Sequence, residues 1–420
     1  MRNVEIKKGI HWVGALDPEL RVFDIIMYTP FGTSYNSYVV KGSEKIALFE
    51  TVKEKCFDKY LETLETLNIT PADIDYIVVD HTEPDHSGSV GKILDLAPHA
   101  KVVGSMQAIS FLKEIINRDF DYIIAKDGDT LSLGDKTLRF ISAPFLHWPD
   151  SMYTYVEEDK VLITCDSFGC HYACENIFND LVENEEDYNV SLKYYFDAIF
   201  GPFKPFVLKG IDKIKDLDID IICPGHGPIL RENPWDVVNK FKEWATPVKP
   251  IINGDKKVTI CYVSAYGYTE ELAKYIEEGL KKNHNVEVKL YDLTKDKDND
   301  AIMKDINESD GLLFGSPTIV GELLPPIRIL LANLNPIING KKFAAAFGSY
   351  GWSGEAVPRI ESRLEELKMK LVHPGLRVKF RASKEQIDEA IEFGNNFSKI
   401  MFGEKNINPV DHGQCDVNKK

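Results

Sequence analysis

Apolar, β-branched runs that stop abruptly at turn chemistry fill the first 230 residues. Over residues 9 to 51, Ser37-Tyr38-Val39-Val40 is followed by Lys41-Gly42-Ser43-Glu44 and then by Lys45-Ile46-Ala47-Leu48-Phe49. The alternation predicts a meander of antiparallel strands joined by tight turns. Helical spacing covers residues 53 to 67, and a strand follows at Tyr76-Ile77-Val78-Val79. Strand-like runs recur over residues 121 to 143, with turns at Asp127-Gly128-Asp129 and Gly134-Asp135, and again at Lys160-Val161-Leu162-Ile163-Thr164-Cys165 and Ile219-Asp220-Ile221-Ile222-Cys223.

The pattern changes after residue 234. Pro234 opens a helical run, and Thr246-Pro247-Val248-Lys249-Pro250 prevents its continuation. A domain boundary is expected there, giving a first domain over residues 1–250, a second over 251–402 and a polar tail over 403–420. The second domain alternates strands and helices: Val258 to Val263, a helix to about Leu280, then strands at Val286 to Tyr291, Gly311 to Gly315 and Phe343 to Phe347, and a last strand–helix pair ending near Met401. Five strands with intervening helices predict a doubly wound parallel sheet, with its ligand at the carboxyl ends of the strands.

Chemistry gathers where the strands end. After Val79 come His81, Glu83, Asp85 and His86, four potential ligands within six residues, and then a small-residue stretch that opens a helix. The later runs end at His147, Asp166 and His226. Side chains converging from several strand ends mark a site better than any one of them does alone. Imidazole suits several transition metals, and the carboxylates favour harder ions such as iron or manganese. The segment from Cys165 through Cys170-His171 to Cys174 matches no common zinc or iron–sulfur spacing, so its thiols are expected to be small packing groups. The remaining histidines are expected to be surface or hydrogen-bonded residues, and Tyr194 and Tyr195 are candidates for supporting contacts around the ligands.

In the second domain, Ser264-Ala265-Tyr266-Gly267-Tyr268-Thr269 joins strand to helix. Hydroxyls and backbone N–H groups there suit a single phosphate, such as that of FMN. The loop lacks a P-loop lysine and the G-x-G-x-x-G fingerprint. Ser316-Pro317-Thr318 and Ser349-Tyr350-Gly351-Trp352-Ser353-Gly354 follow the next two central strands and are placed to hold a flat ring.

Composition narrows the class. Net charge of −16 over 420 residues argues against nucleic-acid binding. No signal-peptide pattern or membrane span is apparent, so a cytoplasmic protein that contacts no membrane is expected. Seven cysteines without an even framework predict no disulfide scaffold.

The series His81-x-Glu83-x-Asp85-His86, His147, Asp166 and His226 resembles the metal set of the metallo-β-lactamase fold, an αββα sandwich of two mixed sheets. The zinc hydrolases of that fold carry His where Glu83 stands, and the added carboxylate favours a di-iron site. The three loops of the second domain resemble those of flavodoxin. Together the domains resemble the flavodiiron proteins, or A-type flavoproteins, over nearly the whole chain.

That resemblance implies one iron on His81, Glu83 and His147, a second on Asp85, His86 and His226, and Asp166 bridging them. It implies FMN as second cofactor and reduction of dioxygen to water or of nitric oxide to nitrous oxide. The external donor would be rubredoxin or reduced deazaflavin, and no rubredoxin-type cysteine pairs occur in the chain itself. A head-to-tail homodimer, or a dimer of dimers, would bring each flavin to the partner's irons. Two other readings stay open at this point: a zinc hydrolase with a regulatory flavodoxin module, and an electron-transfer or sensing protein without turnover.

Overall fold

The computed structural model describes residues 4–246 and 256–404. The chain divides into two compact units, Met1–Pro247 and Val248–Lys420. The expected linker at Pro247-Val248-Lys249-Pro250 and the tail beyond Glu404 lie outside the described residues.

The first unit holds two mixed sheets. One runs in the order Val4–Lys7, Ile10–Trp12, Tyr38–Lys41, Ile46–Phe49, Tyr76–Val79, Lys101–Gly104, Tyr122–Ile124. It is antiparallel as far as Ile46–Phe49 and parallel beyond. The other runs Thr130–Ser132, Thr137–Ser142, Met152–Val156, Val161–Cys165, Ile221–Pro224, with only its last pair parallel.

Successive residues of a strand point to opposite faces, and here both faces are covered. Phe49, Val78, Val103, Phe140, Met152 and Ile163 belong to the cluster between the sheets. Their neighbours Leu48, Ile77, Val102, Ile141, Tyr153 and Leu162 join an outer cluster with helical residues such as Leu64, Ile93, Leu112, Ile211 and Val238. Burial on both faces explains why these strands read as almost unbroken apolar runs. The result is the αββα sandwich.

Thr137–Ser142, Val161–Cys165 and Ile221–Pro224 run in one direction, so their carboxyl ends share one edge of the second sheet. A register shift between Ile163 and Cys165 interrupts the ladder just before Asp166. A bulge of this kind bends a strand end and re-aims the side chain that follows.

In the second unit the order is Val286–Asp292, Lys256–Tyr262, Gly311–Gly315, Phe343–Tyr350, all parallel. Lys370–Leu371 and Leu376–Lys379 both pair with Phe343–Tyr350, so the expected fifth strand is broken in two. Pro374 lies in the gap, where its missing N–H cannot serve a ladder. Ile260, Leu313 and Ala345 face one apolar layer, and Cys261, Leu312 and Ala344 face the other.

The helices Tyr268–Leu280 and Lys384–Met401 cross at paired glycines. A Cβ on Gly279 would sit 1.9 Å from the Ile391 carbonyl oxygen, and one on Gly394 would sit 2.1 Å from that of Ile276. Only glycine lets the backbones approach so closely. Among the described residues no helix is long and apolar enough to cross a membrane.

Candidate metal and flavin sites

All seven predicted ligands of the first unit come together. Glu83 Oε2 lies 3.3 Å from His81 Nε2 and 3.0 Å from His147 Nε2. Asp85 Oδ2 lies 3.0 Å from His226 Nε2 and 3.4 Å from His86 Nε2. Asp166 sits between these trios. Its Oδ1 is 3.1 Å from His86 Nε2 and 3.4 Å from His226 Nε2. Its Oδ2 is 3.2 Å from His147 Nε2 and 3.5 Å from His81 Nε2. One carboxylate thus presents one oxygen to each half of the cluster.

The site is dry. His81, Asp85, His86, Asp166 and His226 are buried, Glu83 and His147 are partly so, and Asp85 Oδ1 is buried without a hydrogen-bond partner. Three carboxylates and four imidazoles in so little space are costly unless something neutralises them. Burial pushes the Glu83 and Asp166 carboxyls up, but the imidazoles against them win and hold both below the usual range. Burial likewise pushes His86 and His147 down, and the carboxylates reverse that. The donor set, hard oxygens with imidazole nitrogens in two groups, fits two ions of the iron or manganese type.

The outer contacts fix the ring orientations. Asp150 Oδ2 is 3.2 Å from His81 Nδ1 and accepts from the Thr82 N–H at 2.7 Å and the Thr82 hydroxyl at 2.8 Å. His226 Nδ1 is 2.6 Å from the Ser34 carbonyl oxygen. Beneath His81, the Glu50 carboxylate accepts the Asp80 N–H at 2.8 Å and is pushed up to about 8, mainly by burial.

His171 and Tyr195, the less obvious neighbours, also reach the site. The His171 ring lies 4.8 Å from that of His226 and 4.9 Å from that of Tyr195, and its Nδ1 is 2.9 Å from the Thr33 hydroxyl. Burial pushes its pKa well down, and the neighbouring His226 adds to this. Tyr195 is buried with its hydroxyl toward Asp166 and stays protonated, whereas Tyr194 is largely exposed and lies outside the cluster. Cys165 comes near Glu50 and His86, but burial, followed by nearby carboxylate charge, raises its thiol far above the usual range. Cys165, Cys170 and Cys174 are free and buried.

Asp150 follows His147 by three residues, and this spacing was its only signal in the sequence. His171 had none, because its position depends on how a loop packs.

In the second unit, the first loop leads from Lys256–Tyr262 into the helix Tyr268–Leu280. Gly267 caps this helix with φ +86° and no side-chain hydrogen bond, so the first-turn N–H groups are left for a ligand. Ser264 Oγ is buried with no partner. An orphaned hydroxyl beside free helix N–H groups fits a phosphate. Ala265 and Tyr266 are exposed, and Tyr268 and Thr269 form the first helical turn rather than the loop.

The Thr269 hydroxyl is taken by Ser349, 2.9 Å away. The Ser316 hydroxyl accepts the Leu324 N–H at 2.9 Å and is 2.9 Å from the Pro317 carbonyl oxygen. Thr318 N–H donates to Ser349 O at 2.9 Å, and the Thr318 hydroxyl accepts the Ala356 N–H at 3.1 Å. These hydroxyls tie the loops together, leaving backbone groups and rings to face a ligand. Ser349 and Tyr350 still belong to the strand Phe343–Tyr350, so the last loop begins at Gly351; Trp352 projects from it 85% exposed, and Ser353 and Gly354 complete it.

Residues 33–227 match the family model described as ODP family beta lactamase, and residues 260–394 match that of flavodoxin. The chain is similar to the flavo-diiron protein FprA2 of Clostridium acetobutylicum, 42% identical over 96% of this chain and all of the relative. It is 36% identical to a protein of Moorella thermoacetica named nitric oxide reductase, over 94% of this chain and 98% of that one. Among solved structures it resembles the rubredoxin oxygen:oxidoreductase of the anaerobe Desulfovibrio gigas, with TM-score 0.66 and 29% identity over 96% of this chain and 99% of the other.

Proposed function

We propose, from the premise that this chain belongs to the flavodiiron (type A flavoprotein) family, that it reduces dioxygen to water, nitric oxide to nitrous oxide, or both. It is an oxidoreductase that uses a di-iron centre and FMN. When bound, the irons and flavin supply the redox chemistry: two electrons suffice to couple two nitric oxides, and four are needed to reduce dioxygen to two waters.

The observation that carries this reading is the placement of Asp166 between two three-residue sets. In our reading His81, Glu83 and His147 hold one iron, Asp85, His86 and His226 hold the other, and Asp166 serves both. Asp150 and the Ser34 carbonyl orient His81 and His226, as partners of ligating imidazoles do. Phe23, with its ring 5.4 Å from that of His226, and Phe200, 6.4 Å from His147, help keep water out. Tyr195 keeps its proton and can hold it toward Asp166.

The Ser264 hydroxyl and the first turn after Gly267 hold the FMN phosphate in this account. The loops Ser316-Pro317-Thr318 and Gly351-Trp352-Ser353-Gly354 flank the ring. The relative from Desulfovibrio gigas is named for rubredoxin and oxygen, which supports an external carrier such as rubredoxin, or reduced deazaflavin, as the electron donor. A head-to-tail homodimer, or a dimer of dimers, in the cytoplasm completes the proposal.

Protein produced with iron available should hold about two irons and one FMN per chain, the expected loading of a paired-metal site and one phosphate loop, by metal analysis and flavin absorbance. Stoichiometric zinc with no iron would instead support a metallo-β-lactamase-type hydrolase and overturn this reading.

A further inference from the structure

We propose that the edge strand Leu376–Lys379 and the two residues after it form a docking surface for the acidic face of a small electron-carrier protein. The inference rests on the reading that electrons reach the flavin from an external carrier.

The run from Leu376 to Lys384 contains Arg377, Lys379, Arg381 and Lys384 and no carboxylate, within a chain of net charge −16. Alternation along the strand buries Val378 and leaves Arg377 and Lys379 exposed. Arg381 pairs with Glu271 at 3.2 Å, whereas the Arg377 and Lys379 side chains have no ion pair or hydrogen-bonded partner among the described residues. Two unpaired cations side by side are unexpected on so acidic a protein.

Their place in the fold gives them a use. Leu376–Lys379 pairs with the end of the central strand that carries the flavin loop, Gly348 opposite Arg377 and Tyr350 opposite Lys379. A Cβ on Gly354 would lie 3.6 Å from Arg377 Cδ, and one on Gly351 would lie 3.3 Å from the Phe380 ring. The cations therefore lie against the loop assigned to the flavin. Phe380 and Trp352 are 57% and 85% exposed beside them, and exposed aromatics with arginine are the composition of an interface.

Arg377 and Lys379 stand about 7 Å apart along the strand, and Arg381 follows beyond a bend at Phe380, whose φ is +58°. That spread exceeds one small anion and suits a protein face with several carboxylates. Such a carrier meets net repulsion over most of this chain, and a local reversal of sign beside the flavin would orient it where transfer is short.

The test uses the FMN-loaded full chain and an oxidised rubredoxin of net negative charge, with binding followed by calorimetry. Binding at low salt should weaken by about tenfold or more as salt shortens the screening length. Arg377→Glu with Lys379→Glu should weaken low-salt binding by about tenfold or more, and Arg377→Lys should retain it. FMN content and the rate of flavin reduction by dithionite should not change. The proposal is overturned if the double reversal binds within about twofold of the unaltered protein, if the unaltered protein shows no binding at low salt, or if the reversal releases FMN. Charge-dependent binding by a protein that reduces neither gas would keep this surface and remove the reductase reading.

Discussion

Asp166→Asn is expected to lose both metals and to lower gas reduction by at least about a hundredfold, while FMN stays bound. Outer partners of metal ligands are worth about 10–100-fold in affinity, and a residue facing both halves of the site should be worth no less. The physical reason is the division of its two oxygens between the trios, at 3.1 Å from His86 and 3.2 Å from His147. An amide keeps one weaker oxygen and turns an NH2 group toward the other trio. It also removes a negative charge that two cations would need. The phosphate loop belongs to the other unit, so flavin content serves as the internal control. Iron content and turnover like those of the unaltered protein would remove Asp166 from the centre.

The second large effect is restoration of activity by mixing two inactive chains. One carries Asp166→Asn and keeps its flavin. The other carries Ser264→Asp with Gly267→Val and keeps its ligands. A carboxylate at Ser264 would face the phosphate, and valine is strained at the φ of +86° that Gly267 adopts. In a head-to-tail dimer each flavin serves the partner's irons, so a mixed dimer pairs the first chain's flavin with the second chain's ligands. Two-fold dimers are the commonest assemblies. After exchange is verified by mass, mixing should restore turnover from near zero to a substantial fraction of normal. Verified exchange without activity would mean that transfer runs within one chain.

Much of this was legible in the sequence because burial on both faces leaves long apolar runs, and each run ends at a residue that must be exposed to a site. His81, Asp166 and His226 stand out for that reason. Other features depend on packing between distant segments. Asp150 acts through His81, 69 residues away, and His171 reaches His226 only because its loop folds back against Thr33. In the flavodoxin-like unit the hydroxyls of Ser316 and Thr269 were legible as candidates, but only the structure shows them occupied by Leu324 and Ser349. The gap in the fifth strand was marked by Pro374, although the residue alone does not say that pairing resumes at Leu376.

The central claim is that this chain passes electrons from flavin through a di-iron centre to a small gas. Anaerobic stopped-flow tests it directly: iron- and FMN-loaded protein is fully reduced and mixed with dioxygen, and in a second experiment with nitric oxide. The account predicts that flavin absorbance returns rapidly with at least one of the two gases, and that Asp166→Asn slows the return by at least about a hundredfold. Flavin that stays reduced in both gases, or re-oxidises equally fast in the Asp166→Asn variant, would contradict it.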